Sequence, residues 1–483
     1  MFTDKIFREY DIRGIVGEDF DEDFAFSLGK AFAALLKKEK EDAEWVSVGR
    51  DARISSERLA GRIVKGIVSS GISVYDIGLC PTPLQYFSVH RLGLDGGIMV
   101  TGSHNPPEYN GFKLSIGKET IFGEKIREIK DIMQKKEWAE IPGKGHIKNY
   151  DVISAYSEFM LNRFSHLADG DYKTVKVVVD AGNGTAGVVA PRLLEEMGCE
   201  VIPLYCEPDG KFPNHHPDPT VLAYIKDLRE MTVEKEADIG VGYDGDADRI
   251  GVIDSSGNIV WGDHIMIILS RQMLKKRSGA VIIGDVKCSQ VMFDDIEKHG
   301  GTPIMWKTGH SLVKDKMRKE NAVLAGEFSG HIFIADDYFG YDDAIYTTFR
   351  LIEIMKTSKK TIKELLSDVP PMRYTPEIRI DCRDDQKKEV VEKLLERCRG
   401  YALSGKGPVP IKKIYDIDGA RVVFENGWGL VRSSNTQPVI VMRFEAEDDK
   451  SLNGYRSFLE GELEEAIRET GKGTGTGKDY MNV

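Results

Sequence analysis

The chain has 483 residues, of which 41% are hydrophobic and 30% are charged, and its formal net charge is −12. This length exceeds what a single hydrophobic core supports, so we expect three or four domains of an ordinary globular protein rather than a disordered chain. The acidic balance argues against nucleic acid as a general partner, although a local basic cleft for anionic substrates is compatible with it.

The first predicted domain covers residues 1–150. A helical pattern at 24–35 is followed by strand-like runs at 45–51, 73–78 and 97–100, with a helix at 56–70 between the first two strands. Alternating strands and helices predict a parallel sheet wrapped by helices.

The most informative stretch of this domain is residues 101–107, TGSHNPP, directly after the third strand. The two prolines lack amide hydrogens, so we expect the strand to end in an exposed loop carrying Ser103 and His104. The Asn110-Gly111 pair favours a tight reversal that would return Lys113 toward Ser103. A hydroxyl, an imidazole and an ammonium together suit a serine that accepts and donates a phosphoryl group. For the heptapeptide alone, a polar turn without chemistry remains an open alternative.

The second predicted domain, 151–255, repeats the pattern and ends in a polar loop after a strand at 237–242. This loop holds carboxylates at i, i+2 and i+4: Asp244, Asp246 and Asp248. Oxygen ligands so close together favour a hard divalent cation, and Mg²⁺ suits a site that also binds phosphate. The loop does not match an EF-hand, because Arg249 and Ser255 occupy the sixth and twelfth positions, where an EF-hand needs glycine and glutamate. A dinucleotide fingerprint is disfavoured by charge repulsion, whereas a phosphatase with Asp244 as nucleophile stays open.

The third predicted domain, 256–369, again restarts with strands at 280–285, 303–306 and 323–326. The last strand leads into Glu327-x-Ser329-x-His331, whose carboxylate and hydroxyl suit the recognition of sugar hydroxyls. Taken alone this pattern is weak, since polar turns share it.

The fourth predicted domain, 370–483, reads as α+β, with a hairpin turn at 425–428 and a flexible tail at 471–477. Its segment at 432–438, RSSNTQP, combines a guanidinium with hydroxyl and amide donors, an inventory that suits a phosphate. A plain turn before the strand at 439–444 is the alternative.

Cysteine usage and the apolar runs bear on the compartment. The six cysteines contain no C-x-x-C pair, residues 1–5 do not resemble a signal peptide, and no apolar run approaches membrane-spanning length. We therefore expect a cytoplasmic protein with neither a membrane nor a nucleic acid as partner.

Together the four loops resemble the α-D-phosphohexomutase family, and specifically its phosphomannomutase/phosphoglucomutase branch. The likeness runs from the motif YDIRG at 10–14 to Arg432 and beyond. It implies three related α/β domains with mixed sheets wrapped by helices, plus a C-terminal α+β lid domain. It also implies a phosphoserine at Ser103 and a metal held by Ser103, Asp244, Asp246 and Asp248.

The resemblance further implies roles for other residues. Catalytic positions would be Ser103, His104, Arg13, Lys113 and Arg249. Substrate-binding positions would be Tyr10, Lys287, Gly309, His310, Glu327, Ser329, His331, Arg432, Ser434, Asn435 and Thr436. Asn435 favours the hexose branch, whereas Phe328 and Ala247 depart from the residues usual there and bear on sugar preference.

The implied activity is reversible phosphate transfer between C1 and C6 of mannose or glucose phosphate. It would need Mg²⁺ and pass through a hexose 1,6-bisphosphate, which also serves as activator. Phosphoglucosamine mutase is the alternative within the family, and a metal-dependent sugar phosphatase is the alternative outside it. The expected partner is a small hexose phosphate, and the sequence leaves monomer or homodimer open.

Overall fold

The computed structural model describes residues 3–141, 143–168, 172–435 and 438–470. By their backbone contacts they form two compact units. The first unit comprises the described residues of Met1–Ile283, Asp294–Ile304 and Gly309–Ser367. The second comprises those of Gly284–Phe293, Met305–Thr308 and Asp368–Val483. The tail at 471–477, predicted to be flexible, lies outside the described residues.

The first sheet and its helices occupy the start of the chain. In order they are β1 (Ile12–Ile15), α1 (Glu22–Glu39), β2 (Trp45–Arg50), α2 (Ser56–Ser69), β3 (Ser73–Leu79), α3 (Thr82–Leu92), β4 (Gly96–Val100), β5 (Tyr109–Ile116), β6 (Glu119–Thr120), α4 (Glu124–Lys135) and β7 (Ile147–Asn149). The strand order is β1-β5-β4-β2-β3-β7, and β6 pairs with β5. Strand β2 runs parallel to β3 and β4, as predicted, whereas β5 is antiparallel to β4 and β1.

The predicted reversal at Asn110-Gly111 is wrong, because both residues lie inside β5. Gly111 faces Arg13 on β1, and a Cβ there would lie 2.4 Å from the carbonyl oxygen of Ile12. The glycine therefore serves close strand packing rather than a turn. The Asn110 amide donates hydrogen bonds to the hydroxyls of Ser55 and Ser56 (2.8 and 2.9 Å).

The second sheet follows after a connecting helix. Its elements are α5 (Val152–Phe164), β8 (Lys176–Asp180), α6 (Ala190–Glu196), β9 (Glu200–Leu204), α7 (Lys226–Glu234), β10 (Ile239–Tyr243), β11 (Ile250–Asp254) and β12 (Ile259–Val260). The strand order is β12-β11-β10-β8-β9. Strand β8 is parallel to β9 and β10, and β11 returns antiparallel beside β10. The loop between β10 and β11 is the predicted aspartate loop.

The third sheet has the strand order β14-β13-β15-β16. Its elements and the helices after it are α8 (Gly262–Leu274), β13 (Val281–Asp285), α9 (Gln290–Lys298), β14 (Thr302–Trp306), α10 (His310–Glu320), β15 (Leu324–Gly326), β16 (Ile332–Ile334), α11 (Ala344–Ser358) and α12 (Ile362–Leu365). The Glu327 loop connects β15 to its antiparallel neighbour β16.

The fourth sheet belongs to the second unit. Its elements are β17 (Arg373–Tyr374), β18 (Ile378–Asp381), α13 (Lys387–Ser404), β19 (Lys413–Tyr415), β20 (Ala420–Val423), β21 (Gly427–Ser433), β22 (Val439–Ala446) and α14 (Asp449–Glu469). Strands β20, β21 and β22 are antiparallel neighbours, so the predicted hairpin turn at 425–428 is confirmed. Helices α13 and α14 bury Leu394 and Leu459 in a core that contains Phe444.

The predicted fold class, three α/β regions with mixed sheets followed by an α+β region, is confirmed. In the first region the core packs α1, α2 and α4 on the sheet, with Phe32, Ile63 and Ile129 buried beside Val48. None of the helices in the described part of the chain combines the length and apolar composition that a membrane crossing requires.

Candidate active site

Ser103 lies in the loop after β4, with its backbone in the left-handed region at φ 49°. Its amide donates to Oγ1 of Thr101 at 2.8 Å, and only 2% of the residue is exposed. The expectation of an exposed loop is therefore wrong for this residue. A positive φ is uncommon for serine and is found most often where surrounding contacts over-determine the backbone.

Arg53 supplies those contacts. Its guanidinium donates to the carbonyl oxygens of Ser103 (2.7 Å) and Tyr109 (3.0 Å), and also to those of Asn105 and Pro106. Asp51 accepts from Arg53 Nε at 3.1 Å and from the amide of Gly102 at 3.0 Å. Because these carbonyls lie along the loop and at the first residue of β5, the buried pair of Arg53 and Asp51 holds the whole serine loop.

The aspartate loop follows β10, and its three carboxylate side chains are fully buried. Oδ1 of Asp244 accepts the backbone amides of Asp248 and Arg249, each at 3.1 Å. Ala247 has a positive φ of 58°. These features bring carboxylate oxygens of Asp244, Asp246 and Asp248 within 4.8 Å of one another. The local i, i+2, i+4 spacing thus produces the convergence that the sequence predicted.

The serine loop and the aspartate loop meet. Ser103 Oγ donates to Oδ2 of Asp244 at 2.9 Å, and Ser103 Oγ lies 3.1 Å from Nδ1 of His104. A Cβ on Gly245 would lie 2.6 Å from the carbonyl oxygen of Ser103, so only glycine permits this approach. The arrangement places a hydroxyl directly beside a possible metal ligand.

Lys113 and Thr82 donate hydrogen bonds to the aspartate loop. The Lys113 ammonium donates to Oδ2 of Asp246 at 2.7 Å and also to Asp248. Thr82 Oγ1 donates to Oδ2 of Asp246 at 2.5 Å. Lys113 reaches the loop because β5 pairs with β4 and sets it opposite Met99.

Burial and charge shift the pKa values of these groups in opposite directions. Burial, then Asp248 and Asp246, raise the pKa of Asp244 well above its usual range. Burial also acts to raise the pKa of Asp246, but Lys113 outweighs it and the net pKa is lowered. Burial alone would lower the pKa of Lys113, but Asp246 and Asp248 hold it well above its usual value, so the lysine is protonated.

The aspartate loop fits a divalent cation. Oδ1 of Asp246 and Oδ1 of Asp248 are buried oxygens without a hydrogen-bond partner in the described structure. Oxygen-only donors of this kind bind hard cations such as Mg²⁺ or Ca²⁺. A cation there would offset the burial of these charges and relieve the mutual repulsion, which together raise the pKa of Asp244.

Arg13 and Tyr10 approach the site from β1 and the segment before it. Arg13 donates to Oδ1 of Asn105 at 2.9 Å and to Asp11 at 2.5 Å, so it contacts the serine loop. Tyr10 is buried, and a Cβ on Gly309 would lie 2.4 Å from its ring. The ring of Tyr10 also lies edge-on to that of His310, with centroids 6.1 Å apart.

The loop between β15 and β16 joins the aspartate loop. His331 accepts a hydrogen bond at Nε2 from Nε of Arg249, 2.8 Å away. Oε1 of Glu327 accepts the amide of Gly309 at 2.7 Å, and its Oε2 accepts from Ser329 Oγ at 3.1 Å. The predicted sugar-binding residues therefore lie beside the predicted catalytic arginine.

Four buried residues of this site were not predicted: Asp51, Arg53, Thr82 and Asp342, whose Oδ2 lies 3.1 Å from Nδ1 of His331. Asp51 and Arg53 carried a usable signal, because they stand at or just after the end of the strand predicted at 45–51, where α/β proteins commonly place functional side chains. Thr82 and Asp342 lie in no motif. Thr82 acts on Asp246, 164 positions away, and Asp342 accepts from Lys314, 28 positions away.

The second unit contains the remaining predicted residues. Nζ of Lys287 lies 2.8 Å from Oε1 of Glu377. Asp418 accepts from Arg432 Nε at 2.9 Å and from the amide of Thr308 at 3.1 Å. Burial acts to raise the pKa of Glu377, but Lys287 and then the nearby arginines outweigh it and lower the pKa to about 2. The side chains of Lys287 and Arg432 therefore both lie near Glu377 in this unit.

Ser434 and Asn435 follow Arg432 at the end of β21. The Ser434 amide donates to the carbonyl of Val439 at 2.9 Å, so the two strands stay paired up to this loop. Thr436, also predicted to bind phosphate, lies outside the described residues.

Comparison with known proteins covers all four regions of the chain. Family models described as phosphoglucomutase/phosphomannomutase match alpha/beta/alpha domain I at 4–140, domain II at 154–257, domain III at 261–372 and the C-terminal domain at 377–461. A phosphomannomutase/phosphoglucomutase of Pseudomonas aeruginosa is 41% identical over 460 residues, covering 95% of each chain. A phosphoglucomutase of Neisseria gonorrhoeae is 37% identical, covering 96% of this chain and 97% of its own.

A solved structure agrees with these matches. A phosphoglucomutase/phosphomannomutase family protein from Burkholderia thailandensis superposes with a TM-score of 0.87 at 38% identity, over 97% of this chain and 98% of its own. With four matching domain models in order and full-length relatives above 30% identity, the chain belongs to the phosphoglucomutase/phosphomannomutase family.

Proposed function

We propose that this protein is a phosphohexomutase that moves a phosphoryl group reversibly between C1 and C6 of mannose or glucose phosphate, with Ser103 as the carrier. The observation that carries the proposal is the 2.9 Å hydrogen bond from Ser103 Oγ to Asp244 within the buried aspartate loop. The names of the relatives agree with this activity. We assign one functional loop to each of the regions 1–150, 151–255, 256–369 and 370–483.

The residues that would hold the metal are Asp244, Asp246 and Asp248, together with an oxygen on Ser103. We assign Mg²⁺ because oxygen ligands beside phosphate suit it. Bound there, it would offset the charge of about −1.5 to −2 on a phosphoserine and stabilise charge in a loose transition state.

In the forward step, the bond between phosphorus and Ser103 Oγ breaks as a sugar hydroxyl oxygen forms its bond to phosphorus. The proton of that hydroxyl passes to the imidazole of His104, whose Nδ1 lies 3.1 Å from Ser103 Oγ, and a proton returns to the freed Ser103 Oγ. Arg249 and the Lys113 ammonium supply positive charge beside the transferred group. Because Asp246 and Asp248 keep Lys113 protonated, it is suited to donate a proton rather than to accept one. The resulting hexose 1,6-bisphosphate reorients, and its other phosphate returns to Ser103.

Binding roles follow from the chemistry of the other residues. Glu327 and Ser329 offer oxygens for sugar hydroxyls, with His331 and His310 on the same side of the first unit. In the second unit, Lys287 and Arg432 are cations suited to a phosphate, and Ser434, Asn435 and Thr436 add donors. These groups of the second unit would hold a phosphate of the sugar.

The hydrogen bonding of Asp244 argues against the phosphatase alternative. Its Oδ2 accepts from Ser103 Oγ at 2.9 Å, and its Oδ1 accepts two backbone amides. A phosphatase that used Asp244 as its nucleophile would leave this buried serine hydroxyl without a role.

The test is to assay the purified chain with Mg²⁺ and a trace of glucose 1,6-bisphosphate on three substrates in parallel. Glucose 1-phosphate and mannose 1-phosphate should both become 6-phosphates, and faster than glucosamine 1-phosphate does. Steady release of inorganic phosphate without isomer formation would instead identify a phosphatase. A preference for glucosamine 1-phosphate would identify the other branch of the family.

A further inference from the structure

Asp342 is buried in the first unit, one residue before Asp343, the N-cap of α11. Its Oδ1 accepts from the Lys314 ammonium at 3.1 Å. Its Oδ2 lies 3.1 Å from Nδ1 of His331, which is itself only 3% exposed. Asp342 therefore joins a lysine on α10 to a histidine in the sugar-binding loop.

The other ring nitrogen of His331 faces Arg249. Arg249 Nε donates to His331 Nε2 at 2.8 Å. Because a guanidinium has only donors, Nε2 must be an acceptor and carries no proton. The proton of the neutral imidazole is then on Nδ1, which lies 3.1 Å from Oδ2 of Asp342 and 3.5 Å from Oδ1 of Asp248.

We propose that Asp342 is a positioning residue that holds His331 in its Nδ1-protonated tautomer, so that Nε2 anchors Arg249. With Nε engaged, the two terminal NH₂ groups of Arg249 are the ones that can grip a transferred phosphoryl group. The consequence for catalysis rests on the proposed mutase function, whereas the assignment of the His331 tautomer is independent of it.

A second cation site is the alternative for this cluster. Nδ1 of His331, Oδ1 of Asp248 and Oδ2 of Asp342 lie within 4.8 Å of one another, and in the described structure none of these buried atoms has a hydrogen bond of standard geometry. A histidine that bound metal through Nδ1 would carry its proton on Nε2. That proton would face the N–H of Arg249, so the observed contact favours the positioning role.

The test uses the full-length protein labelled with ¹⁵N-histidine, with the His331 signals identified by their loss in His331→Gln. In the wild type, Nδ1 should have a pyrrole-like and Nε2 a pyridine-like nitrogen shift. In Asp342→Asn, Lys314 should keep the amide oxygen as its acceptor, which turns the NH₂ group toward Nδ1. The tautomer should then reverse, and kcat should fall about 10–100-fold with a smaller change in KM, as for other supporting partners of site residues.

Asp343→Asn is the matched control. Its carboxylate accepts from the hydroxyls of Tyr338 (2.6 Å) and Tyr156 (3.0 Å) and does not face His331. This variant should lower the melting temperature while leaving the His331 shifts and kcat near those of the wild type.

Three results would overturn the proposal: an Nε2-protonated or cationic His331 in the wild type, an unchanged tautomer in Asp342→Asn, or a titration of the Mg²⁺-saturated protein with diamagnetic Cd²⁺ that moves the His331 proton to Nε2 at one equivalent. The last would establish a cation site. Absence of mutase turnover in the wild type would refute the proposed function. The ¹⁵N spectrum would still report the His331 tautomer, so the two failures can be told apart.

Discussion

The hydroxyl of Ser103 donates to Asp244 at 2.9 Å although the two residues are 141 positions apart in the chain. Both side chains are buried, so the bond is shielded from water and from salt. It joins the predicted phosphoryl carrier to the predicted metal ligands, and most of the testable consequences follow from it.

Ser103→Ala should lower kcat for the mutase reaction by roughly a thousandfold or more, because it removes the only proposed carrier oxygen. Binding of glucose 1-phosphate, measured by calorimetry, should persist because the binding residues are untouched. Ser115→Ala is the control, a buried serine of the same sheet whose hydroxyl contacts the carbonyl of Gly97. Near-normal turnover in Ser103→Ala would refute the serine carrier.

Lys113→Met should destabilise the metal-free protein by about 3–5 kcal/mol, because it leaves two buried carboxylates without their cation. Saturating Mg²⁺ should restore part of this loss, since a ligand that binds only the folded state stabilises it. Urea unfolding with EDTA and with Mg²⁺ measures both effects.

Lys356→Met provides the comparison, because Lys356 is also buried but donates to backbone carbonyls such as that of Met197 at 3.1 Å. Its loss of stability should not depend on Mg²⁺. Equal Mg²⁺ dependence in the two variants would contradict the metal assignment.

Thr82→Val should weaken Mg²⁺ binding about tenfold, because Asp246 loses a supporting hydrogen bond of 2.5 Å while the side-chain volume is kept. Calorimetric titration of the EDTA-treated protein measures the affinity. Thr185→Val is the matched change, since that hydroxyl donates to the backbone carbonyl of Gly245 rather than to a carboxylate. If both variants bind Mg²⁺ equally, Thr82 has no role in the metal site.

His90 should make stability depend on pH between about 4 and 6.5. Burial, and then Lys118, lower its pKa from 6.5 to about 4, because the ring packs against Phe339 and Tyr341. The folded state therefore binds fewer protons than the unfolded state in this window. The stabilisation is present above pH 6.5 and is lost as the pH falls toward 4.

Urea unfolding of the wild type and His90→Gln at pH 7 and pH 5 tests this dependence. The wild type should lose more stability between the two values than the variant does. Identical losses would show that His90 does not titrate differently in the folded chain.

Local features of the sequence carried the prediction of the strand-end loops. Asp244, Asp246 and Asp248 are two residues apart, so their convergence needs only one tight loop. The residues of TGSHNPP are likewise contiguous, and the alternation of strands and helices around them predicted the α/β fold. Because these patterns involve residues close together in the sequence, they can be recognised without the tertiary structure.

Strand pairing and the contacts between distant residues were decided by the tertiary structure. Asn110-Gly111 has the composition of a turn, yet close packing against β1 keeps it within a strand. Arg53 and Thr82 donate to partners 50 and 164 positions away, and Asp342 accepts from Lys314, 28 positions away; strand pairing and loop packing bring these residues together. A hydrogen bond between distant residues depends on how the chain folds back, and no local pattern of residues encodes that distance.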